Sequence, residues 1–145
     1  YYKKNVFVHR DFHVSNLMYL KKNIGLIDSQ DAQMGHIAYD LASLIDDVRF
    51  KNPGKFKTKI LNEYLNKNKS LNRKKFKSDF EILSVLRNFK IIGIFSRLAK
   101  RDNKKKYLKL IPHSWELIHS RIYKNKTFED LKIILDNYIQ KGVRG

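Results

Sequence analysis

No cysteine occurs among the 145 residues, so neither a disulfide framework nor a thiolate metal site is available to this chain. That absence fits a reducing compartment, and a cytoplasmic location is expected. Long apolar runs are also missing. Stretches such as Ile91 to Phe95 fall far short of the ~20 residues that cross a bilayer, so no membrane partner is expected. The six glycines (Gly25, Gly35, Gly54, Gly93, Gly142 and Gly145) nowhere form the GxGxxG spacing that cradles phosphates. HExxH, Ser/His/Asp and zinc-ligand patterns are absent, and His36, His113 and His119 form no ligand set. The sequence opens on Tyr1 and reaches its first methionine only at Met18, from which a longer polypeptide is expected.

Acidic residues are scarce: 14 Asp and Glu stand against 31 Lys and Arg, a net charge of +17. Such an excess invites a nucleic-acid reading, because Lys and Arg that neutralise phosphates drive non-specific binding. Its distribution points elsewhere. Residues 1–50 carry six basic and six acidic residues, whereas residues 51–145 carry 25 against 8. The whole excess lies outside the part with the motif described below. Lys outnumbers Arg by 23 to 8, and Ile and Asn are abundant, a bias toward A/T-rich codons that accounts for much of the charge. A solvated basic surface is the preferred reading, with a noncatalytic basic nucleic-acid-binding module as the alternative.

One domain's worth of chain is present, and its pattern predicts an α+β, mostly α architecture. Asn5 to Val8 reads as a strand. Leu17 to Leu20 and Ile24 to Asp28, flanking Lys21-Lys22-Asn23, read as a small β-hairpin. After the polar stretch Ser29 to His36, apolar residues recur at helical spacing. Helices are expected over Tyr39 to Ile45, after an Asn52 cap and Pro53, through Leu83 to Leu98 up to Asp102-Asn103, over Tyr107 to Tyr123, and over Thr127 to Ile139. Thr127 and Asp130 suggest a capping box, and Lys-rich turns are expected at 66–77 and 103–106. The chain therefore divides into a catalytic loop and hairpin over 1–36 and a helical subdomain over 37–145.

The loop carries the chemistry. His9-Arg10-Asp11 is followed by four residues and Asn16, and the second strand ends in Ile27-Asp28. HRDxxxxN followed by a later strand-borne Asp is the layout of a phosphotransfer site. Asp11 would orient an acceptor hydroxyl and take its proton. Asn16 and Asp28 would supply hard oxygen ligands to Mg²⁺, which needs one or two protein oxygens beside phosphate and water. Taken singly, each residue reads better as a turn or cap residue, and their joint order carries the assignment. His9 is expected to hold the loop by a structural hydrogen bond, Arg10 to pair with a carboxylate, and His13 either to touch substrate or to hold the loop.

With HRDFHVSN, an apolar strand ending in Ile27-Asp28, and then Tyr39-Asp40-Leu41-Ala42, the chain resembles the aminoglycoside phosphotransferase family, the small-molecule branch of the protein-kinase-like fold. No DFG or APE occurs. HRDFHVSNLMYL, IGLIDSQDAQMGHIAYDLASLIDD and the later GIFSRLAKRD and YLKLIP are similar, more narrowly, to bacterial kinases that phosphorylate N-acetylmuramate and N-acetylglucosamine on the anomeric hydroxyl during peptidoglycan recycling. The resemblance implies a protein-kinase-like C-terminal lobe that uses ATP and Mg²⁺ on a small sugar. In it Asp11 is the base, Asn16 and Asp28 are the metal ligands, and Asp40 braces the catalytic loop. It also implies supporting or substrate roles for Asp31, Arg97 and Arg101, with helix surface the preferred reading of the two arginines. Another small acceptor, such as an aminoglycoside or a choline-like alcohol, is the alternative. Ser29 stands where the family has an aromatic residue. The nucleotide-covering N-terminal lobe is missing from the pattern, so the 145 residues alone are expected to be inactive and to need that lobe as a partner.

Overall fold

The computed structural model describes residues 6–139 and Gly142. Strand β1 (Val6–Val8) is the described part of the strand expected from Asn5. A 3₁₀ turn at Val14–Asn16 leads into β2 (Leu17–Leu20), which pairs antiparallel with β3 (Asn23–Leu26), Leu17 lying opposite Leu26 and Leu20 opposite Asn23. The hairpin turn is Lys21-Lys22, with Lys21 in the left-handed region at φ 46°. The second strand thus begins one residue earlier than expected and stops at Leu26, leaving Ile27 and Asp28 outside the ladder.

The polar stretch after Asp28 contains a strand that its sequence did not suggest, β4 (Gln33–Gly35). It pairs antiparallel with β1, with Val6 opposite Gly35, Phe7 opposite Met34 and Val8 opposite Gln33. Gln-Met-Gly has weak strand preference, so its partner selects the conformation. Gly35 is required by close approach, since a Cβ there would stand 2.5 Å from Cγ2 of Val8. The β1–β4 ladder closes a loop of chain, residues 9–32, that holds the motif and the hairpin.

Helix α1 (Tyr39–Ile45) has its expected bounds. Helix α2 (Gly54–Lys67) starts one residue later than an Asn52 cap would set it. Pro53, at φ −59° and ψ 143°, is the flanking residue, and Asn52 instead donates from Nδ2 to the Ile45 carbonyl at 3.2 Å. Helix α3 (Arg73–Arg101) begins inside the expected Lys-rich turn, because Asn72 caps it by accepting from the Lys75 amide at 3.0 Å. It ends where expected: Asn103 takes a left-handed φ of 52° and the Lys104 amide returns to the Leu98 carbonyl. The last two segments each open with 3₁₀ turns, at Lys105–Leu110 and Lys126–Phe128, before α4 (Ile111–Ile122) and α5 (Glu129–Tyr138). Pro112 lies in the first turn of α4 and cannot continue a helix arriving from upstream. Asn125, not Thr127, supplies the side-chain cap near α5, accepting from the Thr127 amide at 2.9 Å.

Among the described residues the architecture is α+β and mostly helical, with two small antiparallel sheets. No helix among the described residues is long and apolar enough to cross a membrane. The chain forms two compact units, one up to Ser84 and one from Val85 on. Helices α1 and α2 belong to the first unit together with the strands. The first core comprises Ala38, Leu41, Ala42, Ile45, Leu65, Phe76 and Phe80, with Ile60, Leu61 and Tyr64 against it. In the second unit Trp115 meets the Phe89 ring edge-on at 5.6 Å, and Phe95 lies 5.1 Å from Tyr107.

Candidate active site

Three aspartates near the loop differ in what their carboxylates touch. Asp40, in the first turn of α1, is consumed by the loop: Oδ2 accepts from the His9 amide at 2.7 Å and Oδ1 from the Arg10 amide at 3.0 Å. Charge-assisted bonds of this kind are the strong ones, and these two tie the entrance of the loop to a helix 30 residues away. Asp11 and Asp28 are the opposite case. Neither carboxylate makes a hydrogen bond among the described residues; Asp11 is partly exposed and Asp28 exposed. The backbone of Asp11 is nevertheless fixed, its carbonyl accepting from the His13 amide at 3.0 Å and from Asn16 Nδ2 at 3.0 Å.

Asn16 is buried, and its amide nitrogen is committed to Asp11, which leaves Oδ1 as the acceptor available to a ligand. Its main-chain carbonyl takes the Ile27 amide at 3.1 Å, and the Ile27 carbonyl takes Nε2 of His9 at 3.0 Å. The bond to a carbonyl requires the buried His9 ring to carry its proton on Nε2. Ile27, the neighbour of Asp28, is therefore held on both sides by the loop. This ties Asp28 to the loop that presents Asp11 and Asn16.

Arg10 (φ 72°) and Asp28 (φ 66°) both occupy the left-handed region, which for a residue with a side chain costs about 1–3 kcal/mol and persists only where surrounding bonds enforce it. Those bonds are the ones just described. The oxygens on offer, an amide and a carboxylate, match what Mg²⁺ takes from protein when phosphate and water complete its shell. No group of three or more His, Asp or Glu able to cage a metal unaided occurs among the described residues.

The sequence model of the phosphotransferase enzyme family matches residues 2–74, the span that carries this loop and its brace. The chain belongs to this family. Curated relatives are N-acetylmuramate/N-acetylglucosamine kinases. That of Caulobacter vibrioides is 33% identical over 96% of this chain and 39% of its own length. That of Neisseria meningitidis is 39% identical over 74% of this chain and 34% of its own. That of Pseudomonas aeruginosa is 31% identical over 90% and 40%. The chain thus spans about two fifths of the length of the curated relatives it matches.

The other residues singled out in the sequence lie as follows. His13 is buried, with its carbonyl accepting from the Asn16 amide at 2.9 Å, so it sits within the loop's framework. Asp31 is exposed, and its carbonyl takes Arg10 Nη1 at 3.4 Å; Arg10 thus bonds a backbone oxygen, not the expected carboxylate. Arg97 and Arg101 are exposed residues of α3 in the second unit. Arg101 forks onto Asp102, with Nε to Oδ1 at 2.7 Å and Nη2 to Oδ2 at 3.0 Å, and holds that carboxyl below the usual range. Sequence reasoning missed His36, which accepts the Ala38 amide on Nδ1 and faces Asp79 with Nε2 at 3.2 Å, anchoring the end of β4 to α3. No local pattern marks that pair.

Proposed function

We propose that the chain is the acceptor-side, C-terminal lobe of an ATP- and Mg²⁺-dependent small-molecule kinase of protein-kinase-like fold. In this reading it phosphorylates the anomeric hydroxyl of a cell-wall amino sugar, N-acetylmuramate or N-acetylglucosamine. The supporting observation is the division of labour among the aspartates: Asp40 is spent on the backbone, while Asp11 and Asp28 keep unbonded carboxylates on a loop fixed from both ends. The names of the relatives supply the acceptor.

Asp11 accepts the hydroxyl proton as the sugar oxygen bonds to the γ-phosphorus of ATP, and ADP departs as the bridging bond breaks. Asn16 Oδ1 and the Asp28 carboxylate would hold Mg²⁺, which when bound neutralises charge on the phosphates. Asp40 and His9 keep these groups in place. The nucleotide-covering residues come from the remaining length of the polypeptide, in keeping with the greater length of the relatives. Such an activity belongs to peptidoglycan recycling in the cytoplasm, where ATP is available.

The test is phosphate transfer from MgATP by the full-length polypeptide to N-acetylmuramate, N-acetylglucosamine, aminoglycosides and choline. Transfer to an amino sugar that falls about 10²–10⁴-fold in Asp11→Asn is the expected result, the range set by loss of a general base. Transfer to a different acceptor would overturn the substrate assignment. A folded protein that binds no MgATP would overturn the kinase reading itself.

A further inference from the structure

Asp40 can brace the catalytic loop only if the start of α1 is itself fixed, and α1 has seven residues and an N-cap residue, Ala38, that supplies no side-chain acceptor. His36 fixes that start from two residues upstream. Its carbonyl accepts the Tyr39 amide at 2.9 Å and its ring Nδ1 accepts the Ala38 amide at 3.2 Å. One residue thus takes two of the amide donors that the beginning of a helix leaves over.

The ring is held from its other edge as well. With Nδ1 accepting, the neutral imidazole carries its proton on Nε2, which faces Asp79 Oδ2 at 3.2 Å, and the same oxygen meets Lys75 Nζ at 3.4 Å. Asp79 and Lys75 belong to α3, and the side chains of His36 and Asp79 are only 12% and 10% exposed. Solvent screens such a pair little. Packing does not duplicate the link. Ala38 shares a core with Phe76 and Phe80 of α3, a contact without direction, while beside His36 a cavity of about 220 Å³ is lined by Val8, Met34, Gly35, Tyr39 and Leu83, from β1, β4, α1 and α3. A two-turn helix that slides on such a surface carries Asp40 with it.

We propose that His36 is a positioning residue for phosphate transfer: it registers α1 on α3 so that Asp40 meets the His9 and Arg10 amides, and through them it sets the place of Asp11. This rests on the kinase reading above and adds to it a residue that acts only through the brace.

The test is a double-mutant cycle in the full-length enzyme with MgATP and N-acetylmuramate or N-acetylglucosamine, in which kcat, both KM values and the unfolding midpoint are measured for His36→Ala, Asp40→Ala and the pair. His36→Ala should lower kcat about 10-fold, less than direct misplacement of a reacting group costs, and leave KM for ATP unchanged. In Asp40→Ala enzyme the same substitution should lower kcat no further, because the brace through which His36 acts is gone. His36→Asn, whose side-chain oxygen accepts an amide two residues on, should recover part of kcat, whereas His36→Leu, with no acceptor, should recover none. An unchanged kcat in His36→Ala, or an equal loss with and without Asp40, would overturn the proposal and leave the pair as ordinary stabilisation. Where His36→Ala fails to fold, the cycle is run with Asp79→Asn, which keeps the ring and weakens only its lock: a loss of kcat that disappears in Asp40→Ala supports the proposal, and no loss overturns it. A wild type that transfers phosphate to no acceptor would sink the kinase reading and this inference with it.

Discussion

The strands and loop of residues 6–36 and the helices from Val85 on are held by different forces. In the first region the buried groups are mostly polar, His9, His13 and Asn16, while Phe7, Met18, Tyr19, Leu20, Ile24 and Met34 are exposed. Its order comes from a few directed bonds: two to Asp40, three through Asn16, one of them from the Ile27 amide, and one from His9 to the Ile27 carbonyl. In the second region Trp115, Leu117, Ile118, Ile122, Phe128 and Leu135 are buried, and aromatic contacts run from Phe89 through Trp115 and His119 to Tyr123. Apolar burial is strong but non-directional, whereas hydrogen bonds fix atoms to within tenths of an ångström. The region that carries the HRDxxxxN loop is built from the second kind of contact.

That contrast can be broken most forcefully in the helical region. Trp115→Ala should lower stability by about 3–5 kcal/mol, the usual result of emptying a buried indole site, read as a shift of the denaturant midpoint. Enzyme that remains folded should keep its affinity for ATP. Asp40→Ala should cost less stability, about 2–3 kcal/mol for two amides left without their acceptor. It should nevertheless reduce phosphate transfer by about 10²-fold or more, since small misplacements of reacting groups are that expensive. Equal losses of stability with no extra loss of transfer would show that the brace is ordinary packing.

The smallest effect sharpens the comparison from within the first core. Tyr64 stacks on Phe76 at 5.4 Å, and burial pushes its phenol above the ordinary 10.0. The unfolded chain then loses its proton first, so the contribution of Tyr64 to stability is complete below pH 10 and is lost as pH rises through the folded-state value. Tyr64→Phe should flatten the fall in stability above about pH 10 and leave stability at neutral pH nearly unchanged. An unaltered alkaline limb would remove Tyr64 from that account.

Much was legible from residue order. The bounds of α1, the end of α3 near Asp102-Asn103, and the β2–β3 hairpin follow from apolar spacing and turn residues. Asp11 and Asn16 fall on one loop and Asp28 two residues past the hairpin's second strand, a placement that the sequence spacing already implied. The caps were harder. Asn125 took the place expected of Thr127, and Pro53 the place expected of Asn52, because two neighbouring residues can each cap and only packing selects between them.

By itself the sequence determined which segments are helical, which loop carries the phosphotransfer pattern, and that the positive charge lies beyond residue 50, because propensity, periodicity and charge are properties of neighbours in the chain. Only the tertiary structure decided that Gln33–Gly35 is a strand and that His36 faces Asp79. Each of these depends on where the chain returns after many residues. Pairing partners, buried polar bonds and desolvation are set by that return and leave no mark on the local pattern.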